Sequence, residues 1–272
     1  MRFCTIKATP LFEACPEPDY VDSERLAVAE LVVYHSAMTH EALPASEQYF
    51  RPIVTVDVVL LTLKDERLHV ALALREKEPF AGHWTLPGGW VHADEDEDAV
   101  AAAVRILREK TGLASPYLEQ LQTFANSHRD SRGWSVSIAH YALVPFNEVN
   151  PQDSTRVQWR PIDSVRSLPF DHLEILRTAV ARVQSKTLYS SLPLHLMGRS
   201  FTLTELQHVY ERVLEMPLDK RTFRRRIEEL DVLEPVAGDR AEGQAHRPAQ
   251  KYRLKRRFVG ELATADRNLS RA

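Results

Sequence analysis

The sequence predicts an α/β protein in which a mixed domain of strands and helices is followed by a smaller unit of two helices and two strands. Three observations carry that expectation. A β-branched, apolar run from Ile53 to Leu63 is answered by the alternating segment Arg67 to Arg75. Apolar residues recur at three- and four-residue spacing in Ala99–Thr111 and again in Asp171–Val183. The capping-box sequence Thr202-Leu203-Thr204-Glu205 then opens a second group of elements.

Residues 1–50 carry a helical pattern near Ser23–Tyr34 (Leu26, Ala29, Leu31, Val32) and are an N-terminal extension of unassigned role. Lys64-Asp65-Glu66 separates the first two strands as a hairpin turn. In His83-Trp84-Thr85-Leu86-Pro87-Gly88-Gly89-Trp90 an apolar segment stops at Pro87-Gly88-Gly89, which reads as a tight turn. After the acidic run Asp94 to Asp98, Val100, Ala103, Val104 and Leu107 mark a helix that closes at Gly112. Strands fit Leu118–Phe124 and Ser135–Val144, and Leu173, Leu176, Ala179, Val180 and Val183 mark the second helix. The mixed domain is thus 51–186, and 187–200 reads as a linker.

Behind the capping box, Leu206, Val209, Tyr210, Val213 and Leu214 form an apolar stripe. Pro217 marks a turn and Asp219 is a candidate N-cap for a helix that faces Phe223, Ile227 and Leu230 inward. Val232–Val236 and Gln250–Leu254 read as strands flanking a loop with Gly238 and Gly243. Helix, helix, strand, loop, strand is the order of a winged helix-turn-helix, over 201–257, with 258–272 as a basic and polar tail.

With 44% hydrophobic residues and a net charge of −3, the composition is that of an ordinary globular protein. The most apolar run, Val54–Leu63, is broken by Asp57 and falls short of the roughly 18 residues a spanning helix needs. No membrane segment is expected. Acidic residues from Glu13 onward argue against a signal peptide, and Cys4 and Cys15 alone make no disulfide framework, so the expected location is the cytoplasm. The near-neutral total hides an asymmetry. Residues 1–47 hold 3 basic and 8 acidic side chains (−5), residues 48–186 hold 16 and 18 (−2), and residues 187–272 hold 16 and 12 (+4). Two basic runs account for that last figure: five of the seven residues Lys220–Arg226 and five of the seven Lys251–Arg257. In the first run Phe223 and Ile227 keep one helix face for the core while the arginines take the other, the segregation a recognition helix needs. Lys220, Arg221, Thr222, Arg224, Arg225 and Arg226 are the candidate groove residues, with Arg247 and Lys251 reaching from the wing.

Two segments suggest chemistry. Arg129, Asp130 and Arg132 lie in a loop before a strand, and guanidinium forks match phosphate oxygens bidentately. The segment Leu86–Leu113 resembles the Nudix box, G-x₅-E-x₇-R-E-U-x-E-E-x-G-U with U aliphatic. In active members of that family the helix glutamates hold Mg²⁺ or Mn²⁺ against a diphosphate. Here Arg105, Glu109 and Gly112-Leu113 fit, and Glu97 stands at the required spacing before Arg105. Ile106 and Lys110 replace two of the three helix carboxylates, and the interval from Gly89 to Glu97 is two residues longer than the pattern. A lysine beside a dication costs on the order of a kcal/mol or more at an effective dielectric of about 20, beyond the lost ligands. Catalysis by the usual route is not expected, although Asp94, Glu95, Asp96 and Asp98 offer oxygens for a replacement metal site.

Taken with Phe201–Leu230 and His246–Leu254, the chain from Arg51 to Arg257 resembles the Nudix-related transcriptional regulators of NAD metabolism, the NrtR family. The resemblance implies a Nudix-like α/β/α sandwich with a mixed sheet, followed by a C-terminal winged helix. It implies a repressor that senses ADP-ribose or a related nucleotide, works as a homodimer and binds a palindromic DNA operator. Trp84, Gly88, Gly89, Arg105, Arg129, Asp130 and Arg132 become the pocket candidates, and Trp84 or Trp90 suits stacking on a base. No catalytic residue, no metal ligand and no required cofactor is assigned; Glu97, Arg105 and Glu109 are residual box positions, and Mg²⁺ would enter only with a nucleotide. Two alternatives stay open: an active Mg²⁺-dependent Nudix pyrophosphohydrolase of the ADP-ribose class, and a regulator of the same architecture that senses a sugar or sugar phosphate.

Overall fold

The computed structural model describes residues 51–115, 117–149, 156–241 and 249–264. The helical pattern at 23–34, Arg247 and most of the tail lie outside these residues.

Strands β1 (Ile53–Lys64) and β2 (Arg67–Leu74) form the expected hairpin, with Lys64 opposite Arg67. The turn holds Asp65 and Glu66 at positive φ, 47° and 61°. β3 (Trp84–Thr85) pairs β2, and β4 (Gly88–Trp90) pairs β1. Pro87-Gly88-Gly89 is therefore not the tight turn its composition suggests. Neither glycine has a positive φ; Gly88 lies directly across from Asp57, where an added Cβ would sit 2.0 Å from Asp57 Oδ1. Glycine is needed there for close approach rather than for backbone conformation.

Helix α1 (Ala99–Thr111) starts at Asp98, whose carboxylate accepts from Ala101 N, and ends at Gly112 at φ 69°. β5 (Tyr117–Asn126) and β6 (Ser135–Leu143) follow as an antiparallel pair. β6 lies parallel to β1, giving the sheet path β3-β2-β1-β6-β5. β7 (Val157–Pro161) adds to β2 by pairing with His69–Ala73; its alternation of Val157 and Trp159 with polar residues spans too few positions to stand out in the sequence. Helix α2 (His172–Thr187) runs four residues beyond its expected end at Val183.

The period of two along β1 divides the core. Val56, Val58 and Leu60 pack with Ala102, Ala103, Ile106 and Leu107 of α1 on one face. Val59 and Leu61 pack with Ile175, Leu176, Ala179 and Val183 of α2 on the other. This is an α/β/α sandwich, and Asp57 shares the α2 side of β1.

The smaller unit contains β8 (Phe201–Thr202), α3 (Leu203–Leu214), α4 (Lys220–Leu230), β9 (Leu233–Ala241) and β10 (Ala249–Leu254). Thr202 and Glu205 complete a reciprocal capping box at α3. Asp219 caps α4 through Thr222 N at 2.8 Å. β8, β10 and β9 form a small sheet in that order, and Phe201, Leu206, Tyr210, Phe223, Ile227 and Leu230 fill the core beneath it.

Within the expected linker 187–200, residues 190–196 are buried. Leu192–Leu196 is a buried 3₁₀-helix in which Leu192 and Leu196 join the α2-side core while Leu194 joins the core of the smaller unit. Val209 and Val213 of α3 belong to the same continuous core as Val59, Leu61 and α2. The two units share apolar interior, and α2 lies in it.

Candidate functional site

At the open end of the sandwich lies a cavity of about 420 Å³. β1 supplies Asp57, β4 supplies Gly88, Gly89 and Trp90, α1 supplies Arg105, Ile106, Glu109 and Lys110, and the β5–β6 loop supplies Arg129, Asp130 and Arg132. Every expected pocket residue except Trp84 lines it. Trp84 instead packs against the core on the α2 side, the usual place for a tryptophan beside a strand.

The floor is ionic. Asp57, 4% exposed, accepts from Ser137 Oγ at 2.6 Å and lies 3.4 Å from both Arg129 Nη2 and His172 Nε2. Leu86 N donates to His172 Nδ1 at 3.1 Å, which puts the ring proton on Nε2, toward Asp57. Burial pushes the Asp57 carboxyl up, but His172, the Ser137 hydroxyl and the Arg129 guanidinium together hold it below the usual carboxylate range. Arg129 is itself buried, and its Nε and Nη2 form a fork on Asp171 at 2.8 and 3.0 Å. Two carboxylates on one guanidinium leave this ion group with one excess negative charge.

The mouth is cationic and aromatic. Arg132 is held by buried Asp130 through bonds of 2.6 and 3.0 Å, and its guanidinium lies 5.6 Å from the Trp90 ring centroid. Asp130 thus orients the arginine rather than presenting itself to a ligand. Trp90 is 57% exposed, unusual for a tryptophan, and offers an open ring face. Arg75, from the end of β2, stacks 5.0 Å over Phe170 on the opposite wall.

The acidic loop has become structural. Arg105 donates to both oxygens of Asp96, at 2.8 and 2.7 Å, and to Trp90 O at 3.0 Å. That guanidinium holds the Asp96 carboxyl down to about 2. Glu97, the residual box position eight residues before Arg105, is exposed and does not line this cavity; its neighbour Asp96 takes the arginine. Asp98 caps α1, Glu95 pairs with His92, and Glu109 lies 3.5 Å from Arg105. Among the described residues no three His, Cys, Asp or Glu side chains converge on a metal position. Ile106 is buried where a ligand carboxylate would project, and Lys110 adds an ammonium to the cavity wall. These residues do not fit a divalent cation held by the protein alone.

Sequence reasoning missed Asp57, Asp171, His172, Arg75 and Phe170. Asp57 had a signal: it is the one charge inside an apolar central strand, and a buried charge needs a partner.

On α4, Lys220, Arg221, Arg224 and Arg225 are exposed on the side opposite Phe223 and Ile227, while Thr222 is half-buried. Arg226 is a correction. Its side chain is only 7% exposed, it pairs with Glu229 at 3.2 Å, and its Nε has no hydrogen-bond partner, so it belongs to the interior face. It falls three residues after Phe223, inside the apolar stripe. The second basic run is also narrower than its composition suggests: Arg253 pairs with Glu234, and Lys255 and Arg257 pair with Asp231. Lys251 is partly buried on β10, opposite Thr202. Among the described residues no helix is long and apolar enough to cross a membrane.

Comparison with known proteins matches residues 51–188 to the NUDIX domain and residues 193–254 to the NrtR DNA-binding winged helix domain. The chain is 41% identical over 210 residues to an Acinetobacter baylyi protein named "ADPR responsive transcriptional repressor NtrR", covering 76% of this chain and 83% of that one. It is also similar to the crystal structure of Shewanella oneidensis NrtR in complex with a 27mer DNA, with a TM-score of 0.73, 39% identity, and coverage of 79% of this chain and 98% of that chain. An ADP-ribose pyrophosphatase of Methanocaldococcus jannaschii is 31% identical over 130 residues, 47% of this chain and 73% of that protein.

Proposed function

Because the chain belongs to the family of Nudix-domain regulators that carry an NrtR DNA-binding winged helix, we propose that it is an ADP-ribose-responsive transcriptional repressor. The observation that carries the sensor half is the cavity itself. It keeps guanidinium groups, a bare glycine backbone and an open tryptophan ring, the parts that bind a nucleoside diphosphate, while Ile106 and Lys110 stand where metal-binding carboxylates are required. Arg129 and Arg75 are placed for the diphosphate, Trp90 for a base, and the Gly88-Gly89 edge for close backbone approach. Arg132, oriented by Asp130, reinforces the mouth.

The DNA-binding half rests on α4. Lys220, Arg221, Arg224 and Arg225 form the face that enters the major groove, and Lys251 of β10 contacts the backbone; Arg247, outside the described residues, is proposed for the same role from its sequence position. The protein acts as a homodimer on a palindromic operator, with half-sites about one or two helical turns apart. The proposed location is the cytoplasm, supported by the DNA partner. Mg²⁺ is not required, and enters only as a counterion of the nucleotide.

Thermal shift tests the ligand. ADP-ribose at a hundred times its Kd stabilises the folded chain by about 2.7 kcal/mol, while AMP, ribose 5-phosphate and hexose phosphates at the same concentration give smaller shifts. A shift with a hexose phosphate and none with ADP-ribose overturns the nucleotide reading in favour of a sugar-phosphate sensor.

A further inference from the structure

Helix α2 joins the ligand cavity to the DNA-binding unit. At its N-terminal end three consecutive residues are held by cavity groups. Phe170, at a φ of 57° that bulky residues rarely adopt, packs edge-on against Phe80 with ring centroids 4.8 Å apart and lies under Arg75. Asp171 stands at the N-cap of α2, yet its side chain makes no capping hydrogen bond because both oxygens receive the Arg129 fork. His172 accepts from Leu86 N and faces Asp57.

Its other end meets both units: Lys186 Nζ donates to both oxygens of Glu119 on β5 of the sandwich at 2.6 and 2.7 Å, and just past the helix Ser190 O accepts from Tyr210 OH of α3 at 2.9 Å. Between the two ends, Ile175, Leu176, Ala179 and Val183 share one core with Val209 and Val213 of α3. A helix of 16 residues is about 24 Å long, and close packing along that length makes it move as one piece.

We infer that Asp171 is a ligand-operated latch: an anionic diphosphate entering the cavity takes Arg129 from Asp171, and the released end of α2 shifts that helix against α3 and so moves the recognition helix. Arg129 offers Asp171 one planar fork, and a phosphate group fits the same fork. The released carboxylate has a second partner at hand, the Leu173 N–H in the first turn of its own helix, where aspartate is a favoured cap; the His172 and Glu174 N–H groups already donate to Pro169 O and Asp171 O. The turn therefore has two mutually exclusive arrangements, which a switch requires. The inference rests on the nucleotide reading of the cavity and adds the residue through which occupancy is transmitted.

The test uses the full chain with ADP-ribose, calorimetry for affinity, and hydrogen exchange for peptides covering 170–176, 186–196 and 203–214. In the unmodified protein, ADP-ribose changes exchange in all three regions. Asp171→Asn binds ADP-ribose about fivefold or more tighter, the low end of usual site-to-site coupling, and alters exchange at 186–196 without ligand. A merely structural Asp171 gives weaker or unchanged binding instead. Tyr210→Phe, which removes the hydroxyl that ties α3 to Ser190 and is remote from the cavity, keeps affinity within about twofold and keeps the change at 170–176, but loses it at 203–214. Changes confined to 170–176 in the unmodified protein, or weakened binding in folded Asp171→Asn, overturn the latch. Failure of the unmodified protein to bind ADP-ribose is a separate result that removes the nucleotide reading and the latch with it.

Discussion

Gly88→Ala is the sharpest single test of the cavity floor. The new Cβ would lie 2.0 Å from Asp57 Oδ1, 3.1 Å from Asp57 Cγ and 3.3 Å from Val56 O, and ordinary contact requires about 3.4 Å or more. The carboxylate must move by more than about an ångström, or β4 must part from β1. β1 is central and buried, so rotation of Asp57 is the easier route, and it breaks the 2.6 Å bond from Ser137 and the alignment with Arg129. Losing a buried hydrogen bond to a charged group costs about 1.5–3 kcal/mol, and overpacking adds about 1 kcal/mol or more. A total near 3 kcal/mol lowers the melting temperature of a folded unit of this size by roughly 6–12 °C. Gly89→Ala is the control. Its Cβ meets only Ile106 Cδ1 and Cγ1 at 3.3 Å, the movable end of a side chain, so the melting temperature falls by no more than about 3 °C. The assay is scanning calorimetry of both variants at pH 7.5 with ADP-ribose titrations alongside. If Gly88→Ala melts with the unmodified protein, or the two variants fall equally, the claim that glycine is there for close approach to Asp57 is wrong.

Other outcomes follow from the same geometry. His195 stacks on Tyr117 at 4.7 Å, and burial pushes its imidazole down to about 4 from 6.5 despite the bond to Glu261 O. The unfolded chain then takes up the proton first, so stability is full above about pH 6.5 and is lost as pH falls toward 4, by about 2 kcal/mol between pH 7 and 5. Urea unfolding at the two pH values measures it, and a His195→Phe variant with an unchanged pH dependence removes His195 as the cause. Arg224→Ala or Arg225→Ala weakens operator binding and flattens its salt slope by about 0.9 per lost phosphate contact, seen by fluorescence anisotropy. Arg226→Ala instead changes the melting temperature more than the salt slope, because Arg226 is buried; a loss of slope equal to that of Arg224→Ala returns it to the DNA face. ADP-ribose incubated with the protein and Mg²⁺ gives no AMP above background by chromatography. Turnover abolished by Glu109→Gln reverses the reading of Ile106 and Lys110.

Much of this molecule was legible in its residues. The hairpin, both long helices of the sandwich, the capping box and the two basic runs all follow from periodicities of 2 and 3.6 and from end signals that act within a few residues. Arg105 and the Arg129–Arg132 loop were found by motif. Glu97 was read only as a residual box position by its spacing before Arg105, and the acid that meets Arg105 is its neighbour Asp96. Arg226 was misread because charge composition outweighed helix phase, although its three-residue offset from Phe223 already placed it inward.

The sequence by itself determined element type, the order of the two units, the loss of two metal-binding carboxylates and the segregation of positive charge, because each is a local property of the chain. Only the tertiary structure decided that Asp57, Arg129 and Asp171, separated by 72 and 42 positions from the arginine, make one buried ion group. It also decided that residues 190–196, within the expected linker, are buried, and that α2 touches both the cavity and α3. Those are matters of which surfaces meet, and a buried charge finds its partner only when strands and helices distant along the chain are packed together.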